Sequence, residues 1–190
     1  MNKILVIGAG AMGAAFTFPL VDNNHKVTLT EPYNKDLQKK LLKKNKFHPT
    51  LRLKLSKKVS IKKFSSELLN EKWDLVVVAV SSIGIDMVRE HLKNIKRKTS
   101  ILVLTKGLKF DKNINKIITM SEQLSKGNQN LNISVLKGPC LAKELAKKIK
   151  SYTVIANKNI NIAINIGKLI STTYYKTEYS SDVKGVEFSS

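Results

Sequence analysis

Gly8-Ala9-Gly10-Ala11-Met12-Gly13 follows the apolar run Ile4-Leu5-Val6-Ile7 and leads into Ala14-Ala15-Phe16-Thr17-Phe18-Pro19-Leu20-Val21. The order is strand, glycine turn, helix, the setting in which a G-x-G-x-x-G match points to a dinucleotide. Gly8 lets the chain turn sharply off the strand, and Gly10 has no side chain to keep a pyrophosphate from the backbone. Gly13 lets the helix pack closely on the strand. The first helical turn then offers unpaired N–H groups and a positive dipole end to phosphates.

Moving outward, His25-Lys26-Val27-Thr28-Leu29-Thr30 reads as a second strand, closed by Glu31, 18 residues after Gly13. An acid near this offset accepts hydrogen bonds from the adenosine ribose hydroxyls. No arginine adjoins it and Pro32 follows, so a 2′-phosphate would meet repulsion, which favours NAD over NADP. Asn34 starts a helix that runs to about Lys46, and His48-Pro49 breaks it. Short strand and helix segments follow over 59–61 and 65–72. Trp73 to Val80 and Ser100 to Thr105 are continuous apolar runs, as expected of parallel strands covered on both faces. Helices are expected over 83–93 and 113–125. Ile133 to Leu136 is a strand, Pro139 opens a helix to about Lys150, and 152–156, 159–172 and 174–177 read strand, helix, strand. This alternation predicts an α/β fold with a doubly wound, mostly parallel Rossmann-like sheet.

The chain has 190 residues, 42% of them apolar, enough for one full α/β domain. One cysteine, Cys140, permits no internal disulfide and fits a reducing, cytoplasmic setting. No apolar run approaches the roughly 20 residues that span a bilayer, so no membrane insertion is expected. The net charge is +20, and residues 35–63 hold twelve Lys or Arg against one acid, Asp36. Only Phe47 lies in that block as a base-stacking aromatic, so a solvated surface is expected and no nucleic-acid partner. Three scattered histidines and one cysteine give no metal-ligand spacing, and no metal is expected.

Ligands of such sheets bind outside the carboxyl ends of the strands. The segments at those ends are Gly8–Gly13, Ser81-Ser82, Thr105-Lys106-Gly107 and Gly138-Pro139-Cys140. Lys106 ends an otherwise apolar strand, where a cation can grip a phosphate, a carbonyl oxygen or the nicotinamide side of a cofactor. A helix starting at Pro139 would add a second N-terminal anion site. Glu144 either orients Lys106 or faces solvent. Cys140 reads as a small packed residue and not as a nucleophile.

Together these residues resemble the NAD(P)-dependent glycerol-3-phosphate dehydrogenase family, in the family's order from Met1 to Ser190. The glycine turn is widely shared. Thr105-Lys106-Gly107-Leu108, Gly138-Pro139-Cys140-Leu141-Ala142-Lys143-Glu144 and Asp182-Val183-Lys184-Gly185-Val186-Glu187 are far more specific. The resemblance implies hydride transfer between nicotinamide and C2 of glycerol 3-phosphate or dihydroxyacetone phosphate, a reaction that feeds glycerophospholipid synthesis. It places Gly8, Gly10, Ala11, Met12 and Gly13 around the cofactor phosphates and matches Ala142 to a cofactor contact. It matches Lys106 to a lysine that touches cofactor and substrate, and Gly138 and Cys140 to substrate contacts. Cys140 stands where serine or threonine is usual, and Ser81 where proline is common. The resemblance also makes residues 1–178 a dinucleotide-binding domain and 179–190 the start of a helical substrate domain, and it allows a homodimer in a full-length form. The family's general acid/base lysine falls just beyond Ser190, and Lys184 is not its equivalent. The chain alone is therefore expected to bind NAD weakly and turn over little or nothing, as a shortened or split form would. The last helix, roughly Asp182–Ser190, is expected to have no further domain to pack on. The rival expectations are a non-catalytic NAD-binding module and a 3-hydroxyacid or ketopantoate-type reductase fragment.

Overall fold

The computed structural model describes residues 1–43, 45–93, 95, 99–128 and 131–189. β1 (Lys3–Ile7) places Ile4 and Val6 on one face of a sheet and Leu5 and Ile7 on the other, and all four are fully buried. The chain continues through α1 (Ala11–Asp22), β2 (Lys26–Thr30), α2 (Lys35–Leu42), a small hairpin of β3 (Phe47–His48) and β4 (Leu53–Lys54), β5 (Ser60–Lys62) and α3 (Ser66–Asn70). Next come β6 (Leu75–Val78), a 3-10 turn at Ser82–Gly84, α4 (Ile85–Leu92), β7 (Ser100–Val103), β8 (Leu108–Asp111), β9 (Lys116–Thr119) and α5 (Met120–Ser125). The remainder is β10 (Asn132–Lys137), α6 (Ala142–Ala146), β11 (Ser151–Ala156), α7 (Ile160–Ile170), β12 (Tyr175–Ser180) and α8 (Val183–Phe188).

Eight strands form one sheet in the order β12-β11-β10-β7-β6-β1-β2-β5, with every neighbouring pair parallel except β10 and β11. From β1 the chain first builds outward through β2 and β5, then returns to build β6, β7 and β10 on the other side. The order reverses between β1 and β6, and the crevice above their carboxyl ends is where such sheets bind ligands. Both faces are covered, by α1, α6 and α7 on one side and α3, α4 and α5 on the other. The doubly wound, mostly parallel sheet is as the alternation predicted.

Local chemistry sets the helix starts. Asn34 accepts from the Leu37 N–H at 2.9 Å and caps α2, and Thr119 and Glu122 form a reciprocal capping box on α5. Three expectations are corrected. Residues 113–125 are not one helix: β9 pairs back on β8, with the Asp111 carboxylate accepting from Asn113 N–H at 3.0 Å and Asn115 at φ 50° making the turn. The helix after β10 starts at Ala142 rather than Pro139 and has five residues. Gly138 at φ 144° and the Cys140 N–H bond to its carbonyl, 2.9 Å, hold Pro139 in a tight turn instead. Pro139 therefore does not open the helix that was expected to supply a second anion site there.

The last helix packs on the sheet domain itself. Val183 and Val186 of α8 pack on the core beside α5, and the Glu187 carboxylate is buried, accepting from Ser121 N–H at 3.1 Å and from the Ser121 hydroxyl. In the basic block, the described Lys and Arg side chains are exposed except Lys46, whose amine reaches the Val59 carbonyl at 2.7 Å, while Lys44 lies outside the described residues. No described helix is long and apolar enough to cross a membrane.

Candidate functional site

The crevice has two ends, joined by the start of α1. At the first, Gly8 leaves β1 at φ 103°, a conformation open to glycine, and its N–H donates to the Thr30 carbonyl at 2.9 Å. A Cβ on Gly13 would lie 1.9 Å from the Gly8 carbonyl oxygen, so α1 sits on the turn as closely as backbone allows. Gly10 differs: a Cβ there would meet nothing within 4 Å. It faces open space at the head of α1, where no side chain caps the helix and no acid occupies the first turn. The N–H groups and dipole end there suit an anion. The residues present thus fit the pyrophosphate of a dinucleotide.

Two side chains brace this turn. Glu31 accepts from Ala9 N–H at 2.7 Å with one carboxylate oxygen, and from Tyr33 and Asn34 N–H at 2.9 and 3.1 Å with the other. It therefore bridges the end of β2 and the glycine turn. His48 is fully buried, with Nδ1 accepting from Leu51 N–H at 3.2 Å and Nε2 2.8 Å from the Ala9 carbonyl oxygen. The proton must then sit on Nε2 and be donated to Ala9. Nothing in the sequence pattern marked His48, because its partner lies 39 residues away in the chain. Replacing it with Phe leaves the Ala9 carbonyl and the Leu51 N–H without their partners, each worth about 1–3 kcal/mol when buried. His48→Phe is expected to lower the melting temperature and to weaken NADH several-fold, read by thermal denaturation and NADH fluorescence.

At the second end, Met12, Lys106, Gly138 and Cys140 meet around a cavity of about 210 Å³, walled by Ala79, Leu104 and Leu136. Four of the expected site residues thus converge. Gly8, Gly10, Ala11, Gly13 and Glu31 form the other end of the crevice, and Ala142 packs on the core where α6 meets α1. The Thr105 hydroxyl donates to the Val80 carbonyl at 2.8 Å and fixes the strand end that carries Lys106. Lys106 itself is exposed. Burial pushes the Cys140 thiol up, which keeps it protonated and unsuited to nucleophilic attack. No ion pair joins Glu144 to Lys106 among the described residues.

Lys137, at the end of β10, has no counterpart among the expected site residues. It is 3% exposed and donates from Nζ to the Thr105 carbonyl oxygen. Burial pushes its amine down to about 8, with Glu187 opposing the drop and Lys106 adding to it. Between about pH 8 and the ordinary lysine range the unfolded chain holds a proton that folded Lys137 has lost, so stability rises with pH across that window.

The model of the NAD-dependent glycerol-3-phosphate dehydrogenase N-terminus matches residues 3–163. The chain belongs to this family. The NADP(+)-dependent glycerol-3-phosphate dehydrogenase of Archaeoglobus fulgidus is 28% identical over 196 residues, covering 98% of this chain and 56% of that protein. The glycerol-3-phosphate dehydrogenase [NAD(P)+] of Clostridium botulinum is 30% identical, covering 98% and 55%. The crystal structure of the Coxiella burnetii glycerol-3-phosphate dehydrogenase superposes with a TM-score of 0.84 at 22% identity, covering 98% of this chain and 56% of that one. A putative 2-dehydropantoate 2-reductase of Enterococcus faecalis follows at 0.66 and 19% identity. The chain spans about 55% of the length of the curated relatives it matches.

Proposed function

We propose that these residues form the cofactor-holding half of a glycerol-3-phosphate dehydrogenase that uses NAD in preference to NADP. The observation that carries this is the two-ended crevice: an uncapped helix start beside Glu31 at one end, and an apolar cavity with Lys106 at its rim at the other. Residues 1–178 supply the dinucleotide site, and the division from a helical substrate domain lies close to the end of β12. When bound, the nicotinamide gives or takes the hydride. The chain's own groups do the rest. The Gly8–Gly13 turn and the first N–H groups of α1 hold the pyrophosphate, with Ala11 and Met12 beside it. Glu31 accepts from the ribose hydroxyls, and its charge repels a 2′-phosphate. Lys106 faces the oxygen at C2, Gly138 and Cys140 border the substrate, Ala142 borders the cofactor, and the apolar walls keep water from the reacting carbon. The substrate class is a three-carbon phosphate, glycerol 3-phosphate or dihydroxyacetone phosphate. In a full-length form a homodimer working in the cytoplasm fits the same reading.

The cofactor preference is tested by titrating residues 1–190 with NADH and NADPH, following cofactor fluorescence. NADH is expected to bind more tightly. Glu31→Ala removes charge-assisted hydrogen bonds, each worth about 1.5–3 kcal/mol, so NADH should weaken by roughly tenfold or more. NADPH should lose less, because the repulsion goes with the carboxylate. An unchanged NADH-to-NADPH ratio in Glu31→Ala would remove Glu31 from the ribose site.

A further inference from the structure

The peptide that precedes Lys106 is held from the neighbouring strand. β10 lies beside β7 in parallel register, with Val135 opposite Val103. Two residues past that pair, Lys137 donates its amine to the Thr105 carbonyl. The charged groups facing the amine are Glu187 from α8 and Lys106 from the segment after β7. β11 presents Thr153 and Val154 at this level, neither of which titrates in this range, and the Thr153 hydroxyl donates to the Lys137 carbonyl at 2.7 Å. The Glu187 carboxylate accepts from Ser121 N–H at 3.1 Å and from the Ser121 hydroxyl. A buried ammonium so placed is costly, and among the described residues its hydrogen bond goes to a neutral carbonyl. An amine at that point does two things to Lys106: it fixes the peptide from which Lys106 projects, and it places a second charge behind it.

We propose that Lys137 is a positioning residue for Lys106, and that its charge, switched by pH, sets how strongly the Lys106 end of the crevice attracts an anionic ligand. The proposal deepens the function proposed above and rests on Lys106 being the lysine that meets the phosphorylated substrate. With Lys137 charged, two cations face the anion. With Lys137 neutral, one remains, while the bond to Thr105 persists because a neutral amine still donates.

The test uses residues 1–190 and the variants Lys137→Met and Lys137→Arg, with two readouts. The first needs no substrate: the lysine side-chain NMR signals of Lys106 are followed from pH 6.5 to 9.5, a range set around the Lys137 value of about 8. Wild type should show an inflection near 8 at Lys106, reporting the neighbouring titration, and Lys137→Met should show none. The second is affinity for glycerol 3-phosphate with NADH bound, with glycerol as the uncharged control. The phosphate's second ionisation, near pH 6, is about nine-tenths complete at pH 7, so affinities are compared from pH 7 upward, where its own charge is nearly constant. Wild-type affinity should fall roughly threefold to fivefold as Lys137 loses its proton, the weight of one screened charge. Lys137→Met should be weak and flat, Lys137→Arg should stay tight at high pH, and glycerol should show no trend. A single cooperative thermal transition of Lys137→Met at pH 7 confirms that it is folded. A Lys106 inflection that survives in Lys137→Met overturns the proposal. An inflection that vanishes as expected while glycerol 3-phosphate fails to bind at any pH keeps the Lys137–Lys106 coupling and overturns the role of Lys106 toward substrate.

Discussion

Gly8→Ala is expected to lower the melting temperature by roughly 6–16 °C, while Gly10→Ala leaves it within about 2 °C. The two glycines stand two apart in one motif, yet the structure assigns them different duties. At Gly8 the backbone is at φ 103°, and a Cβ would sit 2.6 Å from the Ala79 carbonyl oxygen and 2.8 Å from the Val80 nitrogen. Neither contact is with a flexible side chain that can move aside, because both atoms are backbone just past β6. Strain at such a φ costs about 1–3 kcal/mol, and overpacking against fixed atoms a similar amount, so about 3–4 kcal/mol is a fair sum. At Gly10 φ is −60° and a Cβ meets nothing within 4 Å, so Ala is free of both costs. What Gly10→Ala changes is the space at the head of α1, where a methyl group would stand against the pyrophosphate. NADH affinity should drop at least about tenfold in this variant with its fold intact. Thermal denaturation and NADH fluorescence separate the two effects. A Gly10→Ala protein that binds NADH as wild type does would move the pyrophosphate away from this turn.

The parts of the fold legible in advance share one physical property: their residues are buried on both faces, so they read as unbroken apolar runs. β1, β6 and β7 are of this kind, and the glycine turn is legible because backbone geometry itself demands glycine. Ile114, Ile117, Ile118, Met120 and Leu124 misled, because their spacing imitates the apolar face of a helix. The structure divides them, with Ile117 and Ile118 in β9 and Met120 and Leu124 in α5, and Thr119 caps the new helix at the junction. Pro139 misled for a related reason: proline suits a first helical turn, but the positive φ of Gly138 had already turned the chain. The site was half legible. Lys106, Gly138, Cys140 and Met12 do meet, because strand ends are readable and the doubly wound order places them together. His48 and Lys137 were not, since their partners, Ala9 and Thr105, come from other elements and leave no local pattern. The same holds for Glu187, whose carboxylate accepts from Ser121, 66 residues away in the chain.

Residues 1–190, prepared as an isolated polypeptide, are expected to bind NADH yet reduce dihydroxyacetone phosphate at least about 10²-fold more slowly than when the C-terminal half of a relative is joined to them. The reason lies in which groups around the cavity can hold a proton at C2. The Cys140 thiol is kept protonated by burial and is a poor donor. The Lys137 amine titrates in a useful range but is tied to the Thr105 carbonyl. Lys106 is exposed, and in the function proposed above it meets the oxygen rather than cycling a proton. A positioned acid/base contributes about 10²–10⁴ in rate, and a substrate held at one end only loses orientation besides. The measurement is NADH oxidation with dihydroxyacetone phosphate, run on the isolated polypeptide and on a fusion to the Coxiella burnetii C-terminal half. The two rates are compared at saturating NADH, so that a difference in cofactor affinity does not enter. Turnover by the isolated polypeptide within tenfold of the fusion would put the acid/base inside residues 1–190. In that case the pH–rate profile of Lys137→Met, set beside that of Lys106→Met, identifies the residue: loss of a limb near pH 8 in the first variant alone assigns it to Lys137.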